Sequence, residues 1–412
     1  MSTRVDVGHA AGRKIVILVG AFVRGGSERQ AYLLARELRR RGLNIEVWAL
    51  WDGDCAKEFE AAGVPTRALR FRRPQCPVRL VRGWHWTSRL LKVVRQFREG
   101  RIDTLLPLGS WPNVIAGLCY RLAGIRLCIW GERSSGRARG ERIAIKQVRR
   151  FAANSTAGVE YLAGERGIPR QRIFLVPNGV EETVTDCGTD WRTKLGLKPE
   201  QPLVVSVAAL DRTRDHATLL HAWKIVQDAS PGNTKPVMAL AGGFGDAYAE
   251  CRQIVRKGGL DSTVRFLGMI HDVPALIHAS DLAVFSSHGE GVPNGVLECM
   301  AGGKAVIASN LAGVRDALGP SAAEILVSPG DADEFARKIL DLLRDKDKRQ
   351  ALGEANRARV RSEFRVEDMA KRYFDIIQDD ARPVSAGGGD GTARAWEAEA
   401  APDPARKTEP VA

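Results

Sequence analysis

Residues 282–303 read LAVFSSHGEGVPNGVLECMAGG, and the succession of residue types in that stretch decides the fold. Leu282, Val284 and Phe285 form an apolar run of strand length, two serines and His288 follow, and a glycine-rich loop carries Glu290. Val296, Leu297, Met300 and Ala301 then recur at helical spacing, so the unit is strand, loop, helix. Pro293 and Asn294 suit a helix start, which leaves backbone N–H groups near Asn294, Gly295 and Val296 facing the mouth of a sheet. Such a start attracts a phosphate or a sugar hydroxyl. Glu290 lies in the loop and Glu298 roughly 6 Å along the helix axis from its start, so both carboxylates can face one pocket. A carboxylate accepts from vicinal hydroxyls, and one can hold a sugar while the other holds a ribose. Spacing alone leaves the plainer readings open: Glu290 as a partner of the helix dipole and Glu298 as an ordinary helical acid.

Outward from this stretch, short apolar runs alternate with helical patterns to about residue 375, the signature of parallel sheets covered by helices. The predicted strands are 14–20, 45–50, 102–106, 127–131, 152–155 and 173–176, then 203–208, 237–241, 264–267, 282–285, 305–308 and 325–327. The segment 27–41 predicts a helix with Ala31, Leu34, Ala35 and Leu38 on one face. Residues 1–185 are expected as a first Rossmann-like domain on the acceptor side, 186–201 as a linker, and 202–360 as a second domain. A helix over 361–380 is expected to pack back on the first domain. The tail 381–412 has almost no large apolar residue and is expected to be disordered.

The 412 residues carry a net charge of +13, and the charge is clustered. Between residues 67 and 101 stand eleven Lys or Arg against the single acid Glu99, and a second basic stretch runs over 133–150. Such a surface suits polyanions, whether nucleic acid, anionic lipid headgroups or diphosphate substrates, and the plainer reading is a solvated face. The apolar run 15–23 leads into Arg24-Gly25-Gly26 without a small-residue cleavage site and reads as a buried strand. Seven scattered cysteines with no Cys-x-x-Cys pair predict reduced thiols in a cytoplasmic protein.

The stretch SSHGEGVPNGVLECMAGGKAVIAS resembles the Glu-x7-Glu signature of retaining glycosyltransferases of family four, which have the GT-B fold: two doubly wound domains facing a central cleft. The resemblance implies that Glu290 contacts the donor sugar and Glu298 the nucleotide ribose, with Gly291, Val292, Pro293, Asn294, Gly295 and Val296 lining the donor site. Gly25-Gly26-Ser27-Glu28-Arg29 is similar to the family's loop where glycines let the backbone approach donor phosphate and acceptor. Gly243, in a Gly-Gly turn, and Met269 with Ile270 resemble the edge that reads the base. Asn113 and Glu132-Arg133-Ser134 are similar to acceptor-side positions of members that build bacterial glycans on lipid carriers, which makes Glu28, Asn113 and Arg133 acceptor-side candidates. Residues 205–222 resemble the segment that places a basic pair on the donor diphosphate. Arg214 stands where Lys is usual, and Ala209 replaces the usual Arg, so Arg212 is expected to supply the missing charge.

The resemblance implies a nucleotide-sugar co-substrate, a UDP-sugar by expectation, no cofactor and no metal. Asp52-Gly53-Asp54 and Asp331-Ala332-Asp333 accordingly read as solvated turns, and His216 and His221 as helix-surface or packing residues. The expected acceptor is a glycan or a polyprenyl-diphosphate-linked glycan, approached from the inner face of the cytoplasmic membrane. A sugar-nucleotide epimerase on the same fold would bind the same donor without an acceptor. A nucleic-acid-binding protein would explain the charge, but no aromatic-studded basic platform accompanies it, and no nucleic acid is expected. An NAD-type oxidoreductase is excluded at the first loop, where Gly20 to Gly25 reads GAFVRG and not Gly-x-Gly-x-x-Gly.

Overall fold

The computed structural model describes residues 12–71, 79–133, 138–182, 188–230 and 235–379. The expected disordered tail lies outside these residues, as do Cys76, Ser134 and Cys187.

Seven strands form the first sheet: β1 (Lys14–Ala21), β2 (Asn44–Trp51), β3 (Thr66–Ala68), β4 (Thr104–Pro107), β5 (Leu127–Glu132), β6 (Arg150–Ala153) and β7 (Ile173–Leu175). Their order is β3-β2-β1-β4-β5-β6-β7, all parallel. The second sheet contains β8 (Leu203–Val207), β9 (Val237–Ala241), β10 (Val264–Gly268), β11 (Leu282–Phe285), β12 (Val306–Ser309) and β13 (Leu326–Val327), in the order β10-β9-β8-β11-β12-β13. Both orders reverse direction beside the first strand of the sheet, at β1/β4 and at β8/β11, and ligands of open α/β sheets bind outside the strand ends at that switch point. The central strands are apolar throughout because helices cover both faces: Ile15 to Val19 in β1 and Leu203 to Val205 in β8 have no exposed surface.

The structure refines several sequence expectations. β3 has no counterpart among them; it is three half-buried residues at a sheet edge, one of them Arg67. The predicted strand 152–155 is shifted to Arg150–Ala153, because Ser155 already caps the next helix by accepting from the Gly158 N–H. The expected linker 186–201 is anchored: Asp190 caps the short helix Trp191–Lys194, and Trp191 is buried in the second core. The helix expected over 361–380 starts later, at Val366–Asp379, because the preceding helix Lys346–Glu363 runs on to Glu363; between them the Phe364 carbonyl accepts from the Val180 N–H. Val366, Met369, Tyr373, Phe374 and Ile377 of the last helix are buried in the core of the first lobe, against Ala31, Leu34 and Leu38.

Candidate functional site

At the switch point of the second sheet, the loop after β11 is stitched to the loop after β8. The Ser286 hydroxyl donates to the carbonyls of Arg214 (3.1 Å) and Asp215 (2.9 Å), and the His288 N–H donates to the Thr213 carbonyl (2.9 Å). This brings Glu290 onto Arg214 as an ion pair, with the Ser287 hydroxyl also donating to the carboxylate. The Glu290 side chain is only 7% exposed, and a carboxylate so enclosed needs a cationic partner. Arg212 is not part of this pair. Its N–H bonds Asp246 (3.0 Å), its guanidinium lies 4.0 Å from the same carboxylate, and it stands on the exposed rim. The two arginines thus have different acidic partners, Asp246 for Arg212 and Glu290 for Arg214.

Directly behind the pair, Asp215 adopts φ 45°, caps the helix His216–Ala229, and lies 3.5 Å from the His288 imidazole. His216 is buried, and desolvation pulls its pKa down to about 4, so it is neutral and serves packing. Nε of Arg214, Oδ2 of Asp215 and Nδ1 of His216 are buried without a protein partner among the described residues. Incompletely satisfied polar atoms on three consecutive residues are unusual outside functional sites.

The helix Asn294–Ala301 begins at Pro293, and no side chain caps its first turn. Its start presses on the mouth of the sheet: a Cβ on Gly295 would come within 2.2 Å of the Val207 carbonyl oxygen at the end of β8. Val292, Pro293 and Val296 are buried, and Gly291 packs against Asn154 and the Arg133 carbonyl of the first lobe. The Asn294 side chain, expected at the donor, is committed elsewhere. Its Nδ2 donates to the Gly26 carbonyl (2.8 Å), and its Oδ1 accepts from Gln30 (3.1 Å) and Asn178 (2.8 Å), all in the first lobe. Burial pushes the Glu298 carboxyl up to about 7, with Arg29 drawing it down and Glu181 pushing it further up. The two carboxylates thus differ in surroundings, Glu290 paired with Arg214 and Glu298 raised by burial.

On the rim, a Cβ on Gly243 would sit 3.4 Å from the Met269 sulfur, and Met269 is 49% exposed. Phe244, 53% exposed, stacks on Tyr248 at 4.1 Å and covers Gly268, forming an apolar shelf beside Met269. Ile270 packs against the second core instead. Sequence reasoning passed over Phe244; its signal was a large aromatic placed directly after a Gly-Gly turn.

The three acceptor-side candidates are all engaged within the protein. Glu28 folds back so that its carboxylate occupies the place of a Gly25 Cβ, bonds the backbone near Gly20 and Ala21, and is raised in pKa by burial. Asn113 is 1% exposed and exchanges two hydrogen bonds with the Gly131 backbone (2.9 and 3.1 Å). Arg133 bonds Asn178 and the Tyr373 hydroxyl. Of the Asp-x-Asp turns, Asp331 caps the helix Ala332–Arg344 and Asp52 accepts from the Gly53 N–H and lies 3.8 Å from Arg70.

Residues 189–359 match the sequence profile of the glycosyl transferases group 1, and residues 24–184 that of glycosyltransferase family 4. The D-inositol 3-phosphate glycosyltransferase of Corynebacterium kroppenstedtii is 26% identical over 243 residues, 57% of this chain and 54% of that protein. The 2-deoxystreptamine N-acetyl-D-glucosaminyltransferase of Streptomyces fradiae is 25% identical over 382 residues, 85% of this chain and 87% of that protein. The chain thus spans about half the length of some curated relatives and most of others. Among solved structures, Anabaena Alr3699/HepE in complex with UDP and glucose superposes with a TM-score of 0.76 at 20% identity, over 89% of this chain and 99% of that one.

Proposed function

Because the chain belongs to the glycosyl transferases group 1 of glycosyltransferase family 4 and has their GT-B fold, we propose that it is a retaining glycosyltransferase that moves a sugar from a UDP-sugar to a glycan or lipid-linked acceptor. The observation that carries this reading is the Glu290–Arg214 ion pair at the mouth of the second sheet, beside a helix start that no side chain caps. The pair supplies both charges a nucleotide sugar asks for. Arg214 and the first-turn amides of the helix Asn294–Ala301 take the diphosphate, Glu290 takes hydroxyls of the donor sugar, and Glu298 takes the ribose. Arg212 approaches the outer phosphate from the rim, and the shelf of Phe244 and Met269 receives the base, with the backbone of Met269 and Ile270 at its edge. The Anabaena protein that shares the fold holds UDP and glucose, which supports UDP as the nucleotide.

In the reaction, the bond from the anomeric carbon to the diphosphate oxygen breaks, and the acceptor oxygen bonds to that carbon on the same face. The acceptor proton passes to the departing phosphate oxygen. Negative charge gathers on that oxygen, and Arg214 together with the helix start stabilises it there. In this reading no metal takes part, and the nucleotide sugar is a co-substrate. Donor binding exchanges the contact between Arg214 and Glu290 for contacts to the substrate.

The acceptor belongs on the first lobe, opposite the donor. The outer face of that lobe supports a membrane-bound acceptor, since the helix Arg79–Glu99 exposes Leu91 with Lys92, Arg95 and Arg98. Leu122 and Ile143 are also exposed, the latter near Arg139, Arg142, Lys146 and Arg149. No helix among the described residues is long and apolar enough to cross a membrane, so attachment by this face would be peripheral. The deciding experiment is a panel of nucleotide sugars scored for thermal shift and slow donor hydrolysis, repeated with Glu290→Ala and Glu298→Ala. Both variants are expected to lose the donor response, and an unchanged response removes that residue from the site.

A further inference from the structure

Three side-chain amides join the lobes. Asn178, just beyond β7 and 4% exposed, donates from Nδ2 to the Val292 carbonyl (2.9 Å) and to Oδ1 of Asn294 (2.8 Å). Its Oδ1 accepts from Asn154 (3.3 Å) and from the Arg133 guanidinium. Gln30, 2% exposed on the helix Gly26–Arg40, takes the Gly179 N–H (3.0 Å) on Oε1 and gives Nε2 to the Gly179 carbonyl (2.9 Å) and to Asn294 (3.1 Å). Asn294 closes the circuit on the Gly26 carbonyl (2.8 Å).

An amide has two donor hydrogens and two acceptor sites, and Asn178 uses all four. Only an amide satisfies that set: a carboxylate cannot donate, and an apolar side chain would take a hydrogen bond from each of its four partners. Gly26 and Asn294 are the first residues of the helices Gly26–Arg40 and Asn294–Ala301, so the circuit ties the two helix starts end to end across the cleft. The Val292 carbonyl that Asn178 holds is two residues from Glu290, yet the polar bonds of Asn178 include neither Glu290 nor Arg214.

We propose that Asn178 and Gln30 are positioning residues for sugar transfer, whose amides fix the register of the two lobes so that a donor held by the second meets an acceptor held by the first. This rests on the donor reading given above. Two elements that carry reacting groups must be held to about 0.5 Å, and a displacement of about 1 Å costs on the order of 10²-fold in rate. The clasp meets that requirement with directional bonds, which lose their geometry on a small shift, where apolar contact would slide.

Asn178→Asp keeps size and acceptor capacity and removes both donations. Gln30→Met keeps length and helical fit and removes the amide, and serves as a second variant should the first fail to fold. UDP titration and the turnover of UDP-sugars are measured on the full chain. Both variants are expected to bind UDP within about twofold of the parent and to keep the donor KM within about threefold, while kcat falls about 30-fold or more. UDP affinity that drops as far as kcat would make these residues part of the donor site and overturn the proposal, and so would an unchanged kcat. A parent protein that ignores UDP and every UDP-sugar overturns the donor reading instead. Amide exchange then tests the clasp alone: it stands if Asn178→Asp speeds exchange at residues 26–30 and 294–298 with β1 and β8 still protected, and falls if exchange there is unchanged.

Discussion

Burial raises Glu298 from an ordinary 4.5 to about 7, which ties both stability and binding to pH. An acid whose folded pKa is raised stabilises the fold below its unfolded pKa, and that contribution is lost as pH climbs through the folded value. The parent protein is therefore expected to melt lower at pH 8 than at pH 5, and Glu298→Gln to remove that part of the decline, as thermal denaturation across the range will report. An ionised carboxylate accepts from a ribose hydroxyl more strongly than the neutral acid does, so UDP affinity of the parent should gain a component between about pH 6 and 8 that Glu298→Gln lacks. Arg214 makes a second test. Arg214→Ala leaves the enclosed Glu290 carboxylate without its cation and should cost about 1–3 kcal/mol in stability and about 10²-fold in turnover, whereas Arg214→Lys should keep much of both. Denaturant melts and donor turnover read the two effects separately. At this scale the motif was legible in the sequence because Glu290 and Glu298 lie eight positions apart on one unit. The raised pKa of Glu298 was not, since it comes from burial in the fold, with Arg29 and Glu181 of the other lobe acting on it.

The elements that carry the site owe their precision to close backbone contacts. Gly295 lets the helix Asn294–Ala301 start against the end of β8, and Gly295→Ala would drive a Cβ into the Val207 carbonyl oxygen. The helix must back away, at an expected cost of about 1–3 kcal/mol in urea denaturation together with loss of donor hydrolysis. An equal melt with unchanged hydrolysis would show that the helix start does not set the site. Strands such as β1, β8 and β11 were readable because strands covered on both faces are continuous apolar runs. β3 was not, because three residues with an arginine in the middle carry no pattern. The boundary between the helices Lys346–Glu363 and Val366–Asp379 was read a few residues early, since the Phe364 carbonyl there meets the Val180 N–H, a partner far away in sequence.

Across the whole molecule, the lobe-to-lobe contacts were the least legible part. Gln30 and Asn294 stand 264 positions apart, and nothing local in either segment names its partner. The clustered charge was legible. At low salt the protein should bind vesicles rich in anionic lipid well above neutral ones, with binding about tenfold weaker or more near 0.5 M salt. Serine at Leu91, Leu122 and Ile143 together should weaken binding with no change in net charge. Sedimentation with vesicles decides the matter, and equal binding to both lipids would remove the membrane from the reading.

The helix Val366–Asp379 closes the first core although it follows the whole second lobe in the chain. On the ribosome, the first lobe emerges early with the face that will meet Met369, Tyr373 and Phe374 still open, and its apolar cover is synthesised only after the second lobe has appeared. Lobes usually mature in the order they are made. Here the one made first is finished last, so a nascent chain stalled or cut before residue 366 would display a sticky, unfinished surface, and the cell can assemble a complete cleft only from chains read almost to the end of the described sequence.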